Sequence, residues 1–94
     1  MDQLLQYLDE SGWTKTEAGT RRIEKGGWIY DWQTGSAWTD LWRWRPGQTS
    51  MHEIEMFVIR NEDRGVEIAR GINADKHPDS PEPDPQTGKR IAFL

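Results

Sequence analysis

Cysteine is absent from this 94-residue chain, which excludes a disulfide framework and any thiolate metal site. Long apolar runs are missing as well. Met56-Phe57-Val58-Ile59 is as long as any, whereas crossing a bilayer takes about 20 apolar residues. The opening Met1-Asp2-Gln3-Leu4-Leu5 lacks the basic region and long apolar stretch of a secretory signal. A cytoplasmic protein without membrane contact is the expectation. Aliphatic residues are scarce: Leu, Ile, Val and Phe make up 16 of the 94. Such scarcity marks disorder only when joined to high net charge, and the net charge here is −4.

Six tryptophans fill the gap: Trp13, Trp28, Trp32, Trp38, Trp42 and Trp44. Each buried indole removes about 150–250 Å² from water, so aromatics replace aliphatics in the expected core. A folded domain follows, although a chain this short leaves much of its surface wet. Charge is uneven. Residues 13–45, which hold all six indoles, carry a net +2, and the flanking segments 1–12 and 46–94 carry −3 each. That contrast falls short of the basic footprint of a nucleic-acid-binding domain.

The predicted fold is α+β: an N-terminal helix packed on a small antiparallel sheet of four to six strands. Leu4, Leu5 and Leu8 share one face of a helix over 2–11, with Asp2 as N-cap and Gly12 as a left-handed stop. Strands follow around Trp13–Thr16, Arg21–Glu24, Trp28–Trp32 and Trp38–Trp44, punctuated by Ala18-Gly19, Gly26-Gly27 and Thr34-Gly35-Ser36. A three-residue loop at Thr34–Ser36 would pair Trp32 with Trp38 and gather Trp28, Tyr30, Trp32, Trp38, Trp42 and Trp44 on one face. A two-residue Gly35-Ser36 turn would split them and set Asp31 opposite Asp40, a like-charge pair. The three-residue loop is therefore preferred. Because side chains alternate, this choice decides which indoles face solvent.

Residues 49–72 admit several readings. Ser50-Met51-His52-Glu53 matches a capping box that would start a helix, yet Ile54, Met56 and Val58 alternate, which favours a strand over 53–60. A hairpin into Val66–Arg70 would follow; a helix capped at Asn61 is the other option. Pro78, Pro81, Pro83 and Pro85 make 75–90 an expected disordered linker. It separates a domain over 1–74 from an apolar tip, Ile91–Leu94, which either completes the sheet or adds to a partner's edge.

Chemistry-bearing constellations are sparse. Ser11, Ser36, Ser50 and Ser80 occupy turn or cap positions with no Gly-x-Ser-x-Gly elbow. His52 and His77 read as solvated imidazoles, and His52, Glu53 and Glu55 offer too few converging ligands for a metal. Asp31 and Asp40 could pair as in glycosidases, but so small a sheet leaves little room for a cleft. No catalytic residue, metal or cofactor is expected.

Trp42-Arg43-Trp44-Arg45 is the most informative stretch, because Trp, Tyr and Arg dominate binding hot spots. The expected function is a non-catalytic protein-binding module, of adaptor or inhibitor type. Its contact residues would be Trp38, Trp42, Trp44, Arg43, Arg45, Trp32, Tyr30 and Phe93, and its partner a larger protein. Exposed strand edges also permit a homodimer. The runner-up is single-stranded nucleic acid, with bases stacked on indoles and phosphates on Arg21, Arg22, Arg43 and Arg45; the net charge of −4 opposes it.

Overall fold

The computed structural model describes residues 1–48 and 50–94; the side chain of His52, and with it the reading of a solvated imidazole there, lies outside the described residues. Helix α1 spans Asp2–Glu10. Asp2 is its first helical residue rather than its cap. The orphan amides of Gln3 and Leu4 instead donate to the Glu62 carboxylate, at 2.9 and 3.2 Å, so one helix is capped by a side chain of another. At the other end Gly12 has φ +93°, and the Trp13 amide donates to the Leu8 carbonyl at 3.1 Å. This is a Schellman closure, and it turns Trp13 back into the core.

The strands form one six-stranded sheet, in the spatial order β1 to β6. They are β1 (Thr14–Glu17), β2 (Thr20–Lys25), β3 (Trp28–Thr34), β4 (Thr39–Trp44), β5 (Glu55–Ile59) and β6 (Arg90–Phe93). Neighbours through β5 are antiparallel and β6 runs parallel to β5. Gly26 and Gly27, at φ +61° and +80°, form the tight β2–β3 turn that L-residues adopt reluctantly. Of the two readings of 50–60 the strand prevails, as β5. The helix that the Ser50–Glu53 capping pattern would start does not form, and a single 3-10 turn, Met51–Glu53, stands in its place.

The 61–70 hairpin does not form. Asn61 accepts a bond from the Arg64 amide at 3.0 Å and opens helix α2, Glu62–Asn73. Acids in the first turn and Arg70 in the last suit the helix dipole. Helix α2 explains the parallel β6, since the chain must return along the sheet to run beside β5.

The β3–β4 register differs from both sequence expectations. Trp32 lies opposite Leu41 and Thr34 opposite Thr39, leaving a four-residue loop, 35–38. This register places Asp40 across from neutral Gln33 instead of Asp31, and lets the Thr34 and Thr39 hydroxyls bond at 2.9 Å. It splits the aromatics. Trp28, Tyr30 and Trp32 turn to the helices, together with Thr39, Leu41 and Arg43, while Trp42 and Trp44 turn away.

Residues 76–89 carry little regular structure, as their prolines dictate, but they lie against the sheet as a strap. Pro81 is buried, and the Arg90 guanidinium donates to its carbonyl at 3.1 Å. The Asp84 carboxylate accepts the amides of Gln86 and Thr87, which holds it below the usual aspartate range and shapes the turn into β6. Ile91–Leu94 joins the chain's own sheet, with the Leu94 amide bonded to the Val58 carbonyl. Among the described residues no helix is long and apolar enough to cross a membrane.

Helix α1 is tied to β2 by Arg21, a buried guanidinium whose Nε donates to Asp9 at 2.6 Å. That hydrogen bond, reinforced by the charge of Arg21, lowers the Asp9 carboxyl below its ordinary value. A depressed folded-state pKa stabilises the fold above the unfolded value, about pH 4, and the benefit disappears as pH falls through the folded one. Asp9→Asn is therefore expected to be less stable than wild type at pH 7. The deficit should shrink towards pH 2, as followed by thermal melts across that range. A deficit that stayed constant with pH would show that the ion pair does not tie the helix down.

Candidate protein-contact face

Alternation along the strands gives the sheet two unlike faces. The inner face is sealed: Leu4, Leu8, Ile68, Ala69 and Ile72 of the helices pack with Trp13, Tyr30, Trp32, Leu41, Phe57 and Ile59. Trp13 meets Tyr30 and Trp32 edge-on, at 6.4 and 6.1 Å between ring centroids. Embedded in this face is a polar network that the sequence reading missed. Arg43, 1% exposed, donates Nε to Glu55 at 2.6 Å, Nη1 to the Tyr30 hydroxyl at 3.2 Å and Nη2 to Ser80 Oγ at 3.1 Å. Its guanidinium also stacks on Trp28, 4.3 Å from the ring centroid. The Tyr30 hydroxyl in turn lies 2.6 Å from His77 Nδ1. Burial raises the Tyr30 phenol above its ordinary pKa, outweighing the opposing bond from Arg43. Ser80 and His77 are thus the anchors that hold the strap down.

Among the described residues neither α-helix packs on the outer face, which is bordered instead by the 3-10 turn through Met51. Register aligns Arg22, Asp31, Trp42, Met56 and Ile91 in one row, and Gln33, Asp40, Val58 and Phe93 in the next. Ile29 and Trp44 form a third. The half of this face nearest β6 is strongly apolar. Phe93 is 75% exposed and Met51 72%, and Trp42, Met51, Ile54, Met56 and Ile91 line a groove of about 160 Å³ with Lys89 on its rim. The half nearest β2 carries a paired charge: Arg22 Nε donates to Asp31 at 3.3 Å while its guanidinium lies over Trp44.

Of the eight contact residues expected from sequence, four stand on or beside this face. Trp42 and Trp44 are half-buried on β4, Phe93 projects from β6, and Trp38, 53% exposed, sits in the β3–β4 loop. Tyr30, Trp32 and Arg43 are core, which removes them from any contact surface, and Arg45 stacks on Trp28 at 3.8 Å beyond the sheet's end. The residues missed are Met51, Ile54, Met56, Val58 and Ile91. Their alternation is visible in the sequence, but the face they occupy depends on a register that only long-range pairing sets.

Asp40 has a special position on this face. Its carboxyl is pushed above the usual aspartate range by desolvation, with no cation among the described residues to offset it. Among the described residues nothing bonds to it. Asp31 and Asp40 are not opposed, and Asp31 is held by Arg22 and Gln33, so the carboxylate pair considered for glycoside chemistry does not assemble. The described residues hold no cluster of three or more His, Cys, Asp or Glu suited to a metal. A larger depression of about 710 Å³ lies between α2 and the strap; of its lining charges Arg64 bonds Glu67 at 2.6 Å and Arg70 stacks on Tyr7, while Lys76 and Asp79 border it as well.

Comparison with known protein families, curated proteins and solved structures finds no match to this chain.

Proposed function

We propose that this chain is a non-catalytic protein-binding module, of adaptor or inhibitor type, and that it binds through the outer face of β4, β5 and β6. The observation that carries this reading is the apolar surface of that face, where Ile91 and Phe93 are exposed beside half-buried Trp42, Met56 and Val58. Contiguous apolar patches of this kind on small proteins mark interaction sites, since leaving them in water is unfavourable. The mixture is also that of an interface centre: aromatic residues and methionine, few charges, and ion pairs confined to one side.

Single-stranded nucleic acid is the weaker reading. Of the four arginines it needs, Arg21 and Arg43 are buried in ion pairs, Arg22 is committed to Asp31, and Arg45 lies over Trp28. Asp40 would add repulsion.

Affinity capture from the native host with wild-type protein and a Met56→Glu variant tests the proposal. Met56 points outward, so the variant is expected to keep its circular dichroism spectrum while losing the captured protein. Identical capture by both would overturn the assignment of the face. Adding oligonucleotide at low salt is expected to leave tryptophan emission unchanged; quenching that weakens with salt would favour nucleic acid instead.

A further inference from the structure

We infer that the outer face is covered by a second copy of this chain, related by a two-fold axis that sets Asp40 of each copy against the second copy's Lys89. This rests on the reading of that face as a protein contact and names its occupant. The apolar centre, Trp42, Met56 and Ile91, is flanked by charges of opposite sign at opposite ends. Asp40 shares a row with Val58 and Phe93. Lys89 lies beyond Arg90, the residue opposite Glu55, and borders the groove near Ile54. Neither side chain has a partner among the described residues, whereas Arg22 and Asp31 in the same face neutralise each other.

Among the described residues Glu24 is a second unpaired acid on this face, but it sits at the far β2 side, in the row of Ile29 and Trp44. Across β4 to β6 the face carries one unpaired acid and one unpaired base among the described residues, on either side of an apolar centre. That half is complementary to itself. A two-fold axis lying between the two faces exchanges the ends, so both charge pairs form at once and the apolar centres meet; this is the isologous arrangement of closed dimers. It also supplies Asp40 with a cation, which its desolvated carboxyl lacks among the described residues of its own chain. Two sheets facing each other in this way form a sandwich about 10 Å thick, with a helical layer on each outside. The alternative contact between copies, along the β6 edge, is poorer: the strand is four residues long, and Pro83 already bridges to Arg90.

Charge reversal separates the outcomes. In sedimentation equilibrium at low salt the wild type is expected to be a dimer. Asp40→Lys alone and Lys89→Glu alone should each weaken it by about tenfold or more, because each places like charges in contact twice. An equimolar mixture of the two variants should recover the dimer. In the mixed pair the two reversed charges face each other across the axis, and the unaltered Lys89 of one copy faces the unaltered Asp40 of the other. Circular dichroism confirms that each variant is folded, and Met56→Glu provides a second route to the monomer. A wild type that stays monomeric at its solubility limit overturns the inference. So does a dimer that both reversals leave intact, or a mixture that fails to recover. If the wild type is monomeric yet Met56→Glu still abolishes capture of a host protein, the second copy is wrong and the contact face stands.

Discussion

Glu55→Ala is expected to remove about 3–5 kcal/mol of folding stability, because it strands a buried guanidinium. Arg43 is 1% exposed and Glu55 6%. Their 2.6 Å contact supplies the only negative charge that Arg43 meets among the described residues. The Tyr30 and Ser80 oxygens and the Trp28 face orient the cation but do not neutralise it. Folded domains hold only about 5–15 kcal/mol in total, so the variant should be marginal at 37 °C. Replacing both partners with apolar residues, as in Arg43→Met with Glu55→Leu, is expected to cost less than the single change, because no unpaired charge remains. Urea titration of the single and double variants checks both statements. If the double variant were no more stable than Glu55→Ala, the loss would come from Arg43's bonds to Tyr30 and the strap rather than from an uncompensated charge.

The same pair explains what can and cannot be read along the chain. Helix α1 is legible because its signals are local: Leu4 and Leu8 four residues apart, and a glycine at the stop. The β2–β3 hairpin is legible from Gly26-Gly27 for the same reason. Its neighbour is not, because several loop lengths fit Thr34-Gly35-Ser36-Ala37-Trp38, and the choice among them is made by what lies across the sheet. Gln33 accepts Asp40 as a neighbour, and Leu41 fills the space beside Trp32. Arg43 reads as a surface residue because arginine usually is one. Its burial depends on Glu55, twelve positions away and on the next strand, and on Ser80 in a strap whose composition suggests disorder. Proline does forbid regular pairing there, but it does not forbid docking, and Pro81 is buried while Ser80 and His77 bond into the sheet. The candidate face is half legible: the supply of indole exceeds what one helix can cover, and Trp42, Trp44 and Phe93 are on or beside the surplus. Its apolar centre on β5 and β6 requires the parallel return through α2.

The division of the tryptophans between core and contact face makes the second large prediction. Trp32→Ala is expected to cost about 3–5 kcal/mol, the usual loss when a buried aromatic leaves a cavity that its surroundings cannot fill. Trp32 is fully buried, packs edge-on against Trp13 and sits opposite Leu41, so the void would open at the junction of helix and sheet. Its indole Nε1 is buried without a hydrogen-bond partner among the described residues. Trp32→Phe should therefore lose much less than the alanine variant, because the smaller ring removes an unsatisfied donor along with its volume. Trp42→Ala, on the half-buried outer face, is expected to cost only about 1–2 kcal/mol in dilute monomer, in keeping with the partial area it hides. Chemical denaturation of the three variants at low concentration measures the contrast. Equal losses at Trp32 and Trp42 would mean that both indoles serve the monomer's own core, and that the outer face has no surplus to offer a partner. A small loss at Trp42 in the monomer, with a larger effect on association, is what a contact residue requires.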